Sequence, residues 1–371
     1  MTPKVYEYIF DVFAFVLGAV IGSFLNVCIY RLPLGMSLNE PRRSFCPSCK
    51  YQIPWSRNIP LISWTMLRGK CANCGSRISF RYFGVELLTA LLFLGVWLKC
   101  WNNNEGLLAL PYWVLTALLI VATFIDFEHF IIPDEITWGG VGAGIVFSTL
   151  IPGMMEAPLF WQRLLWSATG AAAGYATLWC VVELGKIAFG RKKIKLPIAE
   201  PFTWNRVGED DAELKIGDEA MRWSEIFNRE TDQLVLQCTR VDIDGKHYTN
   251  PTLHFYFDRL LVSGAEFKLE TIEPFGGHVF EVVIPREAMG FGDVKFIAAI
   301  GAFLGWQSVY FTIASASMIG ALVGSVILLL NKRHWSSKIP FGPYLALGAL
   351  VWIFAGHEII QWYLNRILPQ E

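Results

Sequence analysis

Charge is what this sequence has least of: Asp, Glu, Lys and Arg make up 17% of its 371 residues, against 54% hydrophobic, and it has six histidines. Soluble domains run nearer a quarter charged. The apolar side chains here exceed what a soluble core needs, which excludes an ordinary soluble domain and points to a polytopic membrane protein. A net charge of −1 gives no general basic excess, and no nucleic-acid partner is expected. No internal repeat or low-complexity tract stands out. A secretory signal peptide is not expected either, because the first apolar stretch runs into Asn26, Arg31 and Pro33 without a small-residue cleavage pattern.

Long apolar runs are what is present. Stretches near 9–28, 83–101, 109–126, 132–151, 162–189, 294–306, 307–330 and 340–363 approach the roughly 20 residues that cross a bilayer core. The reading is an all-α polytopic membrane protein with about eight transmembrane helices. Between the first two runs, residues 29–82 hold nine Lys/Arg (Arg31, Arg42, Arg43, Lys50, Arg57, Arg68, Lys70, Arg77, Arg81) and one acid, Glu40. That loop is expected in the cytoplasm. Alternation then places 102–108 and 152–161 outside, and returns Lys186–Lys195 and Lys332–Lys338 to the cytoplasm. Asp126, ending the third run, and Asp293, opening the sixth, fall at the same cytoplasmic edge.

Four of the eight cysteines form Cys46-Pro-Ser-Cys49 and Cys71-Ala-Asn-Cys74, with 21 residues between the pairs. Two such turns can bring four thiolates around one zinc. Disulfides or free thiols are the bland alternative, disfavoured in a reducing compartment. Four protein ligands leave no open coordination position, so the expected zinc is structural. Cys28, Cys100, Cys180 and Cys238 stand alone and read as small apolar fillers.

Residues 192–288 carry 12 Lys/Arg and 18 Asp/Glu, a local net of −6. The runs 234–243, 253–257 and 278–284, interrupted by Asp244-Gly245 and Gly276-Gly277, predict a β-rich cytoplasmic insert. His247 and His254 show no metal or nucleotide spacing there, and the acids read as a solvated surface. The organisation is thus 9–101 (first two spans with the 29–82 zinc loop), a membrane core of 109–191 and 289–363, and the insert.

Asp126 follows Ala122-Thr-Phe-Ile125, where a carboxylate needs a reason to be; helix-end water or a nearby cation is the plain one. Asp134 reads as a helix cap after Pro133, and Glu128, His129 and Glu135 as water-facing. Asp293 stands at a helix start and could be only a cap. Gly290 and Gly292 around Phe291 argue for close approach of a neighbour or an extended substrate. Lys295 either anchors at the interface or favours an ionised Asp293. Ionisable groups in membrane segments are functional candidates by default. Two carboxylates that meet would share a proton and suit aspartyl hydrolysis.

Several motifs in order resemble the bacterial type IV prepilin peptidases, bifunctional leader peptidase/N-methyltransferases of the GxGD aspartyl type: Gly22-Ser-Phe-Leu-Asn-Val27 through Tyr30-Arg31-Leu-Pro33, the four cysteines, Phe80-Arg81-Tyr82 with Val85-Glu86, Ile125-Asp126 through Pro133-Asp134, Arg286 through Asp293-Val-Lys295, and Pro340-Phe-Gly-Pro-Tyr344. The resemblance implies Asp126 and Asp293 as the catalytic pair. It implies cleavage after a glycine of basic leaders on type IV prepilin and pseudopilin precursors, in the bacterial cytoplasmic (inner) membrane on its cytoplasmic face. It further implies N-methylation of the new amino terminus with S-adenosylmethionine, at residues it assigns only loosely to the zinc loop and first span, with Glu86 a weaker candidate or a partner for Arg81. Short members lack the insert, so its ends are expected to lie close together. The rival readings are another GxGD intramembrane protease and an ion-coupled transporter; the tetracysteine loop speaks against the first, and the placement of both acids at one edge against the second.

Overall fold

The structure is a computed structural model that describes residues 3–155, 157–189, 191–207, 211–227, 233–285, 289–330 and 340–367. Lys332–Lys338 and the Arg286-Glu287 part of the fifth motif lie outside the described residues. In chain order come α1 (Pro3–Arg31), α2 (Ile62–Met66), α3 (Phe80–Asn102), α4 (Ala109–His129), α5 (Asp134–Leu150) and α6 (Phe160–Phe189). Nine strands follow, β1 to β9, with the one-turn α7 (Trp223–Ile226) among them. The chain closes on α8 (Phe291–Leu329), α9 (Gly342–Val351), a π-helical stretch Trp352–Gly356 and α10 (His357–Ile367). Two compact units result, Met1–Cys180 with Met289–Glu371, and Val181–Ala288.

The first unit is helical, and its outer surface is apolar. Phe10, Phe13, Val16, Val20 and Phe24 of α1 point outward, each 44–55% exposed, an arrangement that lipid rewards and water does not. Among the described residues, five helices are long and apolar enough to cross a membrane: Tyr8–Leu34, Phe80–Asn102, Gly106–His129, Phe291–Ile327 and Gly342–Arg366. The chain is therefore a polytopic membrane protein, with fewer such helices than the eight expected. The 132–151 run yields only the 17 residues of α5, at the lower limit for a crossing, and α6 carries Arg163, Glu183 and Lys186 toward its ends. The expected sixth and seventh runs form one element, α8, broken at Gly305 (φ 80°, ψ 173°). At that break the chain doubles back. A Cβ on Gly301 would sit 2.8 Å from Val309 Cγ2, whereas eight residues of straight helix span about 12 Å.

With no water to expel between helices in lipid, close backbone packing and buried hydroxyl bonds hold them. A Cβ on Gly170 of α6 would fall 2.2 Å from the Gly301 carbonyl oxygen, and one on Gly301 2.2 Å from that of Gly170. These two helices touch backbone to backbone at that point. Ser148 of α5 and Ser167 of α6 both donate to the Ala302 carbonyl of α8, at 2.9 and 2.7 Å.

The second unit overturns an all-α description of the whole chain. Its strands form one antiparallel sheet in the order β3-β2-β1-β9-β4-β6-β7-β8, with β5 on β4. The expected strands are there as β4 (Leu234–Ile243), β6 (Thr252–Phe255) and β9 (Phe275–Pro285), and Asp244-Gly245, both at positive φ, turn β4 into β5 (Lys246–Thr249). The sequence pattern missed β1 (Arg191–Val207), because its first half is a lysine run and it holds two prolines. It also missed β2 (Asp211–Ile216), β3 (Glu219–Arg222), β7 (Arg259–Val262) and β8 (Ala265–Lys268), which are short and charged. Trp204, Trp223, Phe255 and Phe275 build a separate core, with ring centres 5.4–6.2 Å apart. Strands β1 and β9 are neighbours with Arg191 opposite Pro285, so the insert's two ends leave it side by side.

Candidate active site

Three helix ends of the first unit converge. Asp126 lies in the last turn of α4, Asp293 in the first turn of α8, and Gly342 begins α9. Asp126 is 5% exposed and Asp293 7%. Asp293 lies near enough to Asp126 to feel its charge. Asp126 Oδ2 accepts a hydrogen bond from the Gly342 backbone N–H at 3.0 Å. Asp293 Oδ1 is buried with no hydrogen-bond partner, a costly state outside a reactive site.

Ile132 is the wedge between the two sides. After α4 the chain turns at Phe130 (φ 56°), and buried Ile132 then packs within 3.2 Å of the Cβ position of Gly292 and 3.0 Å of that of Gly342. The close approach expected of the glycines is thus real at Gly292. At Gly290 a Cβ would meet only Asp293 Oδ2, at an ordinary 3.6 Å. Gly342 is the residue the sequence did not single out. A glycine between Phe341 and Pro343 at the mouth of an apolar run was the available signal, but its target lies 216 residues away.

The neighbouring charges are spoken for differently than the sequence suggested. Lys295 bonds Asp134 at 2.6 Å and lies 5.5 Å from the centre of the Phe291 ring, so its carboxylate contact is Asp134 rather than Asp293. Asp134 makes no cap with its side chain. Arg81 pairs with Glu128 and not with Glu86. Glu86 instead accepts the Leu61 N–H at 2.8 Å, fixing the start of α2.

Residues 29–82 form the second feature. Cys46 and Cys71 head two matching knuckles: the Lys50 N–H returns to the Cys46 carbonyl at 2.8 Å, the Gly75 N–H to that of Cys71 at 2.9 Å, and both turn residues have positive φ. The four sulfurs lie within 4.8 Å of one another, with Cys46–Cys74 at 3.9 Å and Cys49–Cys71 at 4.0 Å. A tetrahedron with metal–sulfur bonds of about 2.3 Å has edges of about 3.8 Å. The cluster therefore has the dimensions of a metal site, and among the described residues it is the one group of this kind. Hydrogen bonds from the Cys49 backbone N–H and then the Ser76 hydroxyl pull the Cys46 thiol down to about 6, and Ser76 lowers Cys74 as well. Thiolates are the ligand form. Arg31, buried, spans the loop's first part by donating to the carbonyls of Ser37, Leu38 and Pro41.

A bundle of apolar helices with a buried carboxylate pair at one set of helix ends, beside a four-cysteine knuckle domain, defines a polytopic membrane protein of the carboxylate-pair class. Residues 16–100 match the bacterial peptidase A24 N-terminal domain, and residues 113–216 with 261–325 match the type IV leader peptidase family. The chain belongs to the type IV leader peptidase family. It is 28% identical to a prepilin leader peptidase/N-methyltransferase of Aeromonas hydrophila over 95% of this chain and 93% of that protein. A protein of the same description from Pseudomonas aeruginosa is 26% identical over 94% and 91%, and one from Myxococcus xanthus is 39% identical over 54% and 59%. No solved structure matches the chain.

Proposed function

We propose that this chain is a bacterial inner-membrane endopeptidase that removes the leader from type IV prepilin-like precursors at the cytoplasmic face and then N-methylates the new amino terminus. The observation that carries the reading is the pair Asp126 and Asp293, buried on different helices within electrostatic reach. Two adjacent carboxylates hold one proton between them. The Gly342 N–H makes Asp126 the natural seat of the charge, and Asp293 the carrier of the proton. Asp126 takes a proton from water as the oxygen adds to the scissile carbonyl, and Asp293 gives its proton to the departing nitrogen as the C–N bond breaks. The supporting residues are Gly292, which admits Ile132, and Gly290 and Lys295 beside it. Eight spans, counting α5, α6 and the two arms of α8, put both acids at the cytoplasmic edge beside the basic 29–82 loop.

Cys46, Cys49, Cys71 and Cys74 fit a zinc ion that folds the loop and has no open position for catalysis. S-adenosylmethionine supplies the methyl group.

Purified protein in lipid, incubated with a leader-bearing prepilin and S-adenosylmethionine, is expected to yield the shortened product heavier by one methylene at its first residue. An intact substrate would overturn the reading. Gly342→Ala sharpens the test, since the new Cβ would fall 2.7 Å from Asp126 Oδ2. We expect cleavage to drop about 100-fold, chiefly in kcat.

The insert's acidic surface suits the basic leader. Because Arg191 and Pro285 are neighbours across the sheet, replacing 195–284 by a short linker should leave the membrane unit folded. The expected result is a kcat/KM lower by about tenfold at low salt, converging with the intact protein as salt rises. Unchanged cleavage across several prepilins at low salt would remove the insert from substrate capture.

A further inference from the structure

The first turn of α8, which carries Asp293, is weakly fixed by its own chain. Glycines stand at 290 and 292, on either side of Phe291, and glycine leaves the backbone more freedom than any other residue. Within the turn, the Asp293 N–H reaches the Gly290 carbonyl at a long 3.2 Å. Proton transfer between paired carboxyls and a substrate needs Asp293 placed to within about 1 Å. Contacts from other helices have to supply that placement.

The connection between α4 and α5 does so twice. Buried Ile132 seats against Gly292, and two residues further along Asp134 Oδ1 takes the Lys295 ammonium at 2.6 Å. Lys295 stands two residues past Asp293, and side chains two apart on a helix are turned about 200° from each other. Holding the ammonium therefore fixes the rotation of the turn about its axis, and with it the direction of the Asp293 carboxyl. The ammonium also lies 5.5 Å from the centre of the Phe291 ring, which meets the Tyr175 ring of α6 edge-on with centres 6.0 Å apart. Asp134 is itself anchored by the start of α5, where the Ile136 and Thr137 N–H groups return to the Pro133 carbonyl at 3.1 and 3.2 Å. One short connection, 130–133, thus follows the helix of Asp126 and leads to the residue that grips the helix of Asp293. Stability is not what the ion pair is for: the Asp134 side chain is 63% exposed and that of Lys295 17%, and a pair with one partner in water adds little to the fold.

We propose that Asp134 and Lys295 are positioning residues for the peptidase reaction, their ion pair clamping the first turn of α8 at the rotation that presents Asp293 to Asp126. This rests on the peptidase part of the function proposed above. Neither residue exchanges a proton with the substrate; both act through Asp293.

The test uses the full chain in lipid nanodiscs with a leader-bearing prepilin, measuring kcat and KM of cleavage separately and the melting temperature of each variant. Asp134→Asn and Lys295→Met remove one charge each at nearly constant size. Each is expected to lower kcat by about tenfold to 100-fold while KM moves by less than about twofold. The two together should be no worse than either, and the exchange Asp134→Lys with Lys295→Asp should return kcat to within about fivefold of the intact chain, because a coupled pair is not additive. Melting should shift by less than about 3 °C in the single variants. Three results would overturn the proposal: a raised KM with kcat unchanged, which would make Asp134 a contact for the basic leader; a lowered kcat that the exchange fails to restore; or loss of the fold in either single variant, which would make the pair a structural tie. The intact chain separates this proposal from its parent. Cleavage by it together with any of those three results removes the clamp and leaves the peptidase standing, whereas no cleavage by it removes the parent reading and the clamp with it.

Discussion

Asp126→Asn and Asp293→Asn are each expected to lower leader cleavage by at least about a thousandfold, and the double variant to be no worse than either alone. Groups that act as one unit in a transition state are not additive. If Asp126 provides the base and Asp293 the acid, an amide at either position leaves a mechanism with no proton traffic. The fold should tolerate both changes. An amide at position 126 still offers an oxygen to the Gly342 N–H, which Asp126 bonds at 3.0 Å, and an amide at position 293 takes the charge away from a buried oxygen with no partner. The check is cleavage of a prepilin-type substrate by each variant in lipid. Full processing by either variant would end the assignment of the pair.

Cys46→Ser or Cys71→Ser is expected to release the metal and unfold residues 29–82 locally. Both cysteines are buried and head the two knuckles. Binding of a structural zinc contributes on the order of 10–16 kcal/mol, far more than a short loop with a three-residue and a five-residue helix supplies by itself. The measurements are metal content, expected at one zinc per chain and none in the variants, and limited proteolysis, expected to open within the loop. A variant that keeps a protease-resistant loop without zinc would show that the knuckles stand on their own hydrogen bonds.

The residues of the carboxylate pair were legible because each breaks a local rule. A carboxylate at the end of an apolar run is conspicuous wherever it occurs, and so are two glycines framing one aromatic residue. The cysteine spacing was legible because a metal knuckle is a local object whose turn closes within five residues. Strands β4, β6 and β9 could be read from their branched and aromatic side chains, whereas β1 could not. Its lysines and prolines are poor strand residues, tolerated because β2 and β9 flank it on both sides. The partners of charged groups were the weakest reading. Lys295 was placed near Asp293 by sequence proximity, yet its ammonium reaches Asp134 across 161 residues, and Arg81 passes over Glu86 to take Glu128.

Composition and local spacing carry one part of this protein: apolar runs that only lipid can solvate, four thiols at metal-knuckle intervals, two candidate acids, and a charged insert. Tertiary structure alone decided that α4, α8 and α9 end at one place, that Ile132 wedges against Gly292 and Gly342, and that α8 folds back at Gly305. The division has a physical cause. Periodicity and ligand spacing act over a few residues and leave a mark in the chain, whereas the contacts that complete the site join residues more than a hundred positions apart and are fixed only when whole helices pack.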